Sequence, residues 1–269
     1  MSASLKKVID IIDGIAPFSL AEKWDNVGLQ IGSPDMGISK ILVALDPTME
    51  TLKMAMSVNA QMIITHHPLL FHSISHIDFN SFPGNFINEA IKNNISVIAA
   101  HTNLDNAKMG INQILATKLG LTGWEILEPK ELNGMTGYGL GVIGYLNEPM
   151  DLRTYAMKVK ESLGAASVKI IGSDESKVKR VATVGGSGRD YIAKAREKGA
   201  DLIVTGDIGH HDALNARALG INVIDAGHFY TERAALTGFI EQIREKFETQ
   251  GIDIMLELYK DEADPVRIL

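Results

Sequence analysis

Several histidines in this sequence occur where short apolar runs end. His66 and His67 stand side by side in IITHHPLLF, directly after a predicted buried strand. His228 precedes Glu232 by four residues in GHFYTE, so the two side chains share one face if a helix begins there. Imidazole nitrogens and carboxylate oxygens together are typical ligands of Zn, Fe, Mn, Co or Ni. We interpret these residues as candidate metal ligands, against the alternative that they only cap strand ends.

A carboxylate enlarges this set, because Asp105 follows another predicted strand in the motif AAHTNLD. The carboxyl ends of parallel strands meet at one edge of a sheet, where such proteins bind ligands. Three histidines and two carboxylates exceed what one catalytic metal with an open position needs. They suit two metals about 3.5–4 Å apart. Because neighbouring side chains in a strand point apart, we predict that His66 and His67 bind different metals.

Two further histidines are candidates for catalysis. His101 begins the HTNLD segment, and His211 lies in TGDIGHHDA. Each could orient a ligand, or act as a general acid or base near bound water. Asp207 could position His211 or simply cap a helix.

The elements that must position these residues alternate between strand and helix, which predicts an α/β fold with mainly parallel sheets. Predicted strands include KILVAL, AQMIIT, ISVIAA, ADLIVTGD and GINVIDAG, with helices between them. The polar, turn-rich segment PKELNGMTG is the predicted lobe boundary. It divides the chain into lobes 1–128 and 129–269.

The two predicted lobes repeat one plan. AQMIITHHP aligns with ADLIVTGDI, and ISVIAAHTNLD aligns with INVIDAGHFYTE if one residue is inserted. His101 then matches His228, and Asp105 matches Glu232. Similar strand sequences also arise by chance in α/β proteins, but the matched polar positions favour an internal pseudo-repeat.

Composition excludes several functions. The chain has 269 residues, a formal net charge of −7 and no cysteine. The charge argues against a nucleic-acid binder, and the missing thiols exclude disulfides, cysteine nucleophiles and cysteine-ligated zinc. The N-terminus resembles an amphipathic helix rather than a signal peptide, and no apolar stretch is long enough to span a membrane. We expect a cytoplasmic protein without a membrane partner.

Two glycine-containing stretches allow a functional and a structural interpretation. VGGSGRDY (184–191) could hold an anion on its backbone N–H groups or form a plain tight turn. EKWDNVGLQIG (22–32) could form a pocket wall around Trp24 or a packed turn. Composition favours the turn in both.

In this order, AEKWDNVGLQIG, ITHHPLLF, AAHTNLD, TGDIGHHDA and VIDAGHFYTE resemble the motifs of the Nif-three-like proteins, often labelled GTP cyclohydrolase 1 type 2. The chain resembles the compact form that lacks an inserted middle domain. The resemblance implies two similar α/β lobes with a dinuclear metal site between them, and a toroidal homohexamer. It also implies that the metal ligands are His66, His67, Asp105, His228 and Glu232, with His101 and His211 nearby.

We expect the protein to be a metal-dependent hydrolase that uses two divalent ions and metal-activated water. Its substrate would be a small molecule, either a nucleotide such as GTP or a phosphoester. The alternative is a non-catalytic metal-binding or scaffold protein, because the ligand set alone is compatible with that role.

Overall fold

The computed structural model describes residues 3–268. The strands are β1 (Ala3–Ser4), β2 (Gly28–Ile31), β3 (Gly37–Ile38), β4 (Lys40–Ala44), β5 (Met62–Thr65), β6 (Ser96–Ala99), β7 (Thr122–Leu132), β8 (Met135–Asp151), β9 (Lys169–Ile171), β10 (Lys177–Ser187), β11 (Leu202–Gly206), β12 (Asn222–Asp225) and β13 (Met255–Leu258). The helices are α1 (Leu5–Ile15), α2 (Met49–Ser57), α3 (Gly84–Lys92), α4 (Thr102–Asp105), α5 (Ile111–Lys118), α6 (Leu152–Leu163), α7 (Ile192–Glu197), α8 (His210–Leu219), α9 (His228–Arg233) and α10 (Leu236–Thr249). This alternation confirms the predicted α/β class.

The chain divides into two compact units whose limits differ from the predicted boundary. The first unit runs through Ala107 and resumes over Leu236–Ala263, while the second spans Lys108–Ala235 and the residues from Asp264. The chain returns to the first unit because β13 pairs in parallel with β4. Its backbone hydrogen bonds are therefore made in the first unit, although it lies near the C-terminus.

In the first unit, a sheet with the order β13-β4-β5-β6-β2 carries the HH motif on a central strand. β4, β5 and β6 pair in parallel, and β2 pairs with β6 antiparallel. Leu42, Ile63 and Val97, one from each central strand, are fully buried in one core with residues of α2 and α3. The parallel register brings the carboxyl ends of β4, β5 and β6 together.

In the second unit, the sheet has the order β7-β8-β10-β11-β12-β9. β10, β11 and β12 pair in parallel, whereas the pairings of β7, β8 and β9 are antiparallel. Both faces are covered, because Leu202 and Val204 enter one core while the intervening Ile203 enters another. The sheet is therefore mixed, with more antiparallel pairing than the sequence predicted.

The segment PKELNGMTG is part of a long hairpin rather than a boundary between lobes. β7 and β8 are joined by Asn133 and Gly134, which have φ values of 50° and 77°. An Asn-Gly pair with positive φ at both residues is typical of a type I′ turn, which suits the twist of paired strands. Residue 128 consequently lies inside β7, and the hairpin belongs wholly to the second unit.

The two units share an order of elements. Each contains, in chain order, a helix, an antiparallel edge strand, three parallel strands and a short helix: α1, β2, β4–β6 and α4 in the first unit, and α6, β9, β10–β12 and α9 in the second. The first unit adds α10 and a fourth parallel strand, β13, after this series. Thr65 pairs with Ala99 at the end of β5, and Thr205 pairs with Asp225 at the end of β11. This agreement is compatible with the predicted pseudo-repeat. Among residues 3–268, no helix combines the length and apolar composition that crossing a bilayer requires.

Candidate metal centre

His66 and His67 follow β5, where the chain leaves the sheet. The His66 side chain is buried, and its Nδ1 donates a hydrogen bond of 2.8 Å to the carbonyl oxygen of Ala100. The Nδ1 of His67 lies 2.7 Å from Oδ1 of Asp46. Ala100 follows β6 and Asp46 follows β4, so the two imidazoles are held from opposite sides of β5. Their ring centroids are 5.2 Å apart.

His101 follows β6 and is held by a carboxylate. Its Nδ1 lies 2.9 Å from Oδ1 of Asp25, and the hydroxyl and backbone N–H of Thr102 also donate to Asp25. Burial raises the pKa of Asp25, but the hydrogen bonds from His101 and Thr102 outweigh it and lower that pKa to about 2. Asp25 is therefore an ionised acceptor that fixes the orientation of the His101 ring.

These side chains form a half-site in the first unit. His66, His67 and His101 can each offer a ring nitrogen such that all three atoms lie within 4.8 Å of one another. Asp105, the last residue of α4, places Oδ1 3.6 Å from Nε2 of His66. The first unit thus brings together three imidazoles and one carboxylate at the carboxyl ends of its parallel strands.

The second unit forms its own half-site on α9. His228 begins this helix, and its Nε2 lies 3.1 Å from Oε2 of Glu232, in agreement with the predicted shared face. The Glu232 side chain is almost fully buried. On the other side of the ring, Nδ1 of His228 lies 2.7 Å from Oδ2 of Asp207, which follows β11.

Gly186, at the end of β10, allows Glu232 to approach the backbone closely. A Cβ atom at this position would lie 2.1 Å from Oε1 of Glu232 and 3.2 Å from Nε2 of His228. The residue also has a φ of +64°, and its backbone N–H donates to the hydroxyl of Thr231. The glycine-rich stretch VGGSGRDY therefore contributes a wall to this half-site.

The donor set fits divalent transition metals. In His66, His67, His101 and His228, Nδ1 faces an oxygen acceptor, which leaves Nε2 as the nitrogen that can bind a metal. Such acceptors fix the tautomer and orientation of metal-binding histidines. Carboxylates lie beside two of these Nε2 atoms, those of His66 and His228. Mixed imidazole and carboxylate ligands suit Zn, Fe, Mn, Co or Ni.

The structure places the remaining sequence candidates differently. His211 is exposed at the start of α8, and among residues 3–268 it belongs to no group of metal-capable side chains. Asp207 holds His228, and the backbone N–H of Gly209 at the α8 N-terminus donates to Asp212. The catalytic role of His211 remains a prediction.

Sequence reasoning missed three contributors to the half-sites: Asp46, Asp25 and Gly186. Asp46 ends the predicted strand motif ILVALD, in the position where polar residues follow the other strands. Asp25 stands beside Trp24 in a segment that composition assigned to a turn. The sequence contained these signals for Asp46 and Asp25. Their partners, His67 and His101, lie 21 and 76 positions away in sequence.

Known proteins are similar to this chain in sequence and fold. Residues 3–265 match the family Duf34/NIF3 (NGG1p interacting factor 3). A Clostridium acetobutylicum protein named GTP cyclohydrolase 1 type 2 homolog is 36% identical over 267 residues, which cover 99% of both chains. A Staphylococcus aureus protein of the same name is 29% identical over 363 aligned positions, covering 97% of this chain and 99% of its own. The longer alignment agrees with a compact form that lacks an inserted domain.

A solved structure also matches the fold of this chain. The crystal structure of a Bacillus cereus protein related to NIF3 superposes with a TM-score of 0.94 at 28% identity, covering 100% of this chain and 99% of that one. The match extends over the segments that carry both half-sites. The chain belongs to the Duf34/NIF3 family.

Proposed function

We propose that this protein is a metal-dependent hydrolase in which His66, His67, Asp105, His228 and Glu232 together hold two divalent ions. The observation that supports this is the uniform arrangement of the histidines. Each imidazole presents Nε2 while an oxygen atom holds Nδ1. A packing histidine needs no such arrangement, whereas a metal ligand needs it to fix its tautomer.

When bound, the two ions would lower the pKa of a coordinated water and so supply a nucleophile at neutral pH. The protein's own residues would bind and orient. His101, held by Asp25 through Nδ1, offers Nε2 for receiving or returning a proton at the substrate. His211 is the second proposed proton carrier. Its exposed position on α8 gives it ready exchange with solvent.

The proposed substrate is a small molecule. Relatives named GTP cyclohydrolase 1 type 2 homolog suggest a nucleotide, for which attack would fall on the purine C8 and open the imidazole ring. A phosphoester would use the same centre. We also propose that the protein acts in the cytoplasm as a toroidal homohexamer, as the family resemblance implies.

The test combines metal analysis with turnover. Purified protein loaded with Mn, Zn or Fe should bind two ions per chain and hydrolyse a member of a GTP and phosphoester panel. His66→Ala should lower the metal content. Glu232→Gln should lower turnover at least about 100-fold if it removes a metal ligand required for activation. His76→Ala is the matched control, because His76 is an exposed histidine that contacts Ser75.

The outcomes separate the alternatives. Unaltered metal content in His66→Ala would show that the site is wrong. Full turnover in Glu232→Gln would remove the catalytic assignment. Two bound ions without turnover on any substrate in the panel would instead support a non-catalytic metal-binding or scaffold protein.

A further inference from the structure

Trp24 is exposed, contrary to the packed turn that composition favoured. Its relative exposure is 61%, and that of Phe71 is 42%. The two rings lie beside each other, with centroids 5.8 Å apart and planes inclined by 58°. Large aromatic side chains are normally buried, so neighbouring exposed rings indicate a surface that is covered by a ligand or partner.

These rings adjoin the metal half-site of the first unit. The centroid of His101 lies 6.1 Å from that of Trp24 and 6.3 Å from that of Phe71. His101 also lies 5.1 Å from His66 and 5.5 Å from His67, measured between ring centroids. A molecule that covered Trp24 and Phe71 would therefore reach the candidate ligands.

The segments that carry the two rings are fixed to each other. Asn26 donates from Nδ2 to the carbonyl oxygen of Leu70 at 2.6 Å, and the Leu70 N–H donates to Oε1 of Gln30 at 3.1 Å. The backbone C=O and N–H groups of Leu70, which precedes Phe71, are thus both hydrogen-bonded to side chains of the segment that follows Trp24. Rigid, preorganised rings lose little conformational entropy when a ligand binds.

We propose that Trp24 and Phe71 form an aromatic shelf that binds a planar, uncharged aromatic ring of the substrate next to His101. This inference rests on the proposed function and names the substrate class of the same site. The inclined planes let a flat ring stack on one aromatic face while its edge meets the other. An organic cation could also contact aromatic faces, but two bound divalent ions would repel it.

Isothermal calorimetry on the metal-loaded full chain tests the shelf, with guanosine and adenosine as ring probes and ribose 5-phosphate as a probe without a ring. Trp24→Ala should weaken guanosine binding about tenfold or more, since a base stacked on an aromatic side chain contributes that much. Trp24→Phe should recover part of the loss, and Phe71→Leu should weaken binding as well. Metal content should stay unchanged in all three variants.

Trp124→Phe is the matched control. Trp124 is the chain's second tryptophan and packs partly buried against the core of the second unit. Its substitution should leave guanosine affinity unchanged. This comparison separates the shelf from a general effect of removing an indole ring.

Three results would overturn the shelf. One is guanosine affinity in Trp24→Ala equal to that of the parent. Another is failure of the parent to bind either nucleoside at millimolar concentration. The third is a smaller particle in sedimentation of Trp24→Ala with unchanged guanosine affinity, which would assign the rings to contact with a second copy. Failure of the proposed function would appear separately, as absent metal or absent turnover.

Discussion

At the residue scale, the oxygen that faces Nδ1 distinguishes the histidines of the two half-sites. His66 donates to a backbone carbonyl, whereas His67, His101 and His228 face carboxylates. A carboxylate partner makes the opposite nitrogen a stronger base and a stronger ligand. Removing such a partner should therefore weaken metal binding even though the ligand itself is intact.

Asp25 gives a prediction about acid stability. Its lowered pKa means that its ionised form is favoured by folding, so its contribution is complete above pH 3.8 and is lost as pH falls through about 2. The shift corresponds to about 2 kcal/mol. Urea unfolding of the parent and Asp25→Asn at several pH values should give a difference in unfolding free energy that shrinks from pH 5 to pH 2. A difference independent of pH would contradict the prediction.

Gly186 gives a prediction about steric contact with Glu232. Gly186→Ala should push Glu232 away from His228, because the new Cβ would collide with Oε1 of Glu232. The expected result is a loss of about 10-fold or more in metal affinity at this half-site, measured by calorimetry with Mn or Zn.

Gly164→Ala provides the control for Gly186→Ala. Gly164 has nearly the same φ, +65°, but a Cβ there would meet nothing within 4 Å. Both alanine variants should lose about 1 kcal/mol of stability from backbone strain. Only Gly186→Ala should lose metal affinity, and equal affinities in the two variants would exclude steric displacement of Glu232.

At the element scale, the half-sites follow from strand direction. Parallel strands deliver their carboxyl ends to one edge, so the segments after β4, β5 and β6 converge without a dedicated loop. The segment after β4 also forms hydrogen bonds with the C-terminal region of the chain. The carboxylate of Glu262 accepts hydrogen bonds from the backbone N–H groups of Leu45 and Asp46, at 2.8–2.9 Å.

These hydrogen bonds to Glu262 predict an effect on metal binding that is transmitted through Asp46. Glu262→Ala should lower the free energy of unfolding by about 2 kcal/mol, since it leaves two N–H groups without a charged acceptor. It should also weaken metal binding, because Asp46 orients His67. Glu262→Gln should restore part of both, because its amide oxygen can accept the same bonds. Chemical denaturation and metal titration measure the two effects.

Glu257→Ala is the control on the neighbouring strand β13. Glu257 forms an ion pair with Lys40 at 2.8 Å, and its side chain is 37% exposed. Its loss should cost less than about 1 kcal/mol and leave metal affinity unchanged. Metal affinity that fell equally in Glu257→Ala and Glu262→Ala would rule out a specific path through Asp46 and His67.

At the scale of the whole molecule, metal binding should appear as stability. An ion that binds only the native state raises the free energy of unfolding by about 2.7 kcal/mol per site when its concentration is about 100 times its Kd. We therefore expect thermal scans of the parent to shift upward on adding Mn or Zn and downward on chelation. The double variant His66→Ala, Glu232→Gln should show a much smaller shift. An identical shift in the double variant would mean that the ions stabilise the protein elsewhere.

Much of this protein could be predicted from local patterns in its sequence. The helical spacing of Leu5, Val8, Ile9, Ile12 and Ile15 predicted α1. Leu5, Val8 and Ile12 are buried in that helix, whereas Ile9 and Ile15 are only partly buried. Apolar runs followed by polar residues located the ends of β5, β6 and β12, and with them the candidate ligands. These predictions succeed because the periods of helix and strand are properties of neighbouring residues.

The remaining features of the fold and the candidate site depend on contacts between residues that are far apart in the sequence. The contacts of His67 with Asp46 and of His101 with Asp25 join residues 21 and 76 positions apart. The return of β13 to β4 and the exposure of Trp24 likewise depend on which surfaces meet after folding. Sequence periodicity reports which face of an element is apolar, but it does not report which element covers that face. The candidate metal ligands could therefore be named from the sequence, while the groups that hold them, and the aromatic shelf beside them, emerged only from the tertiary structure.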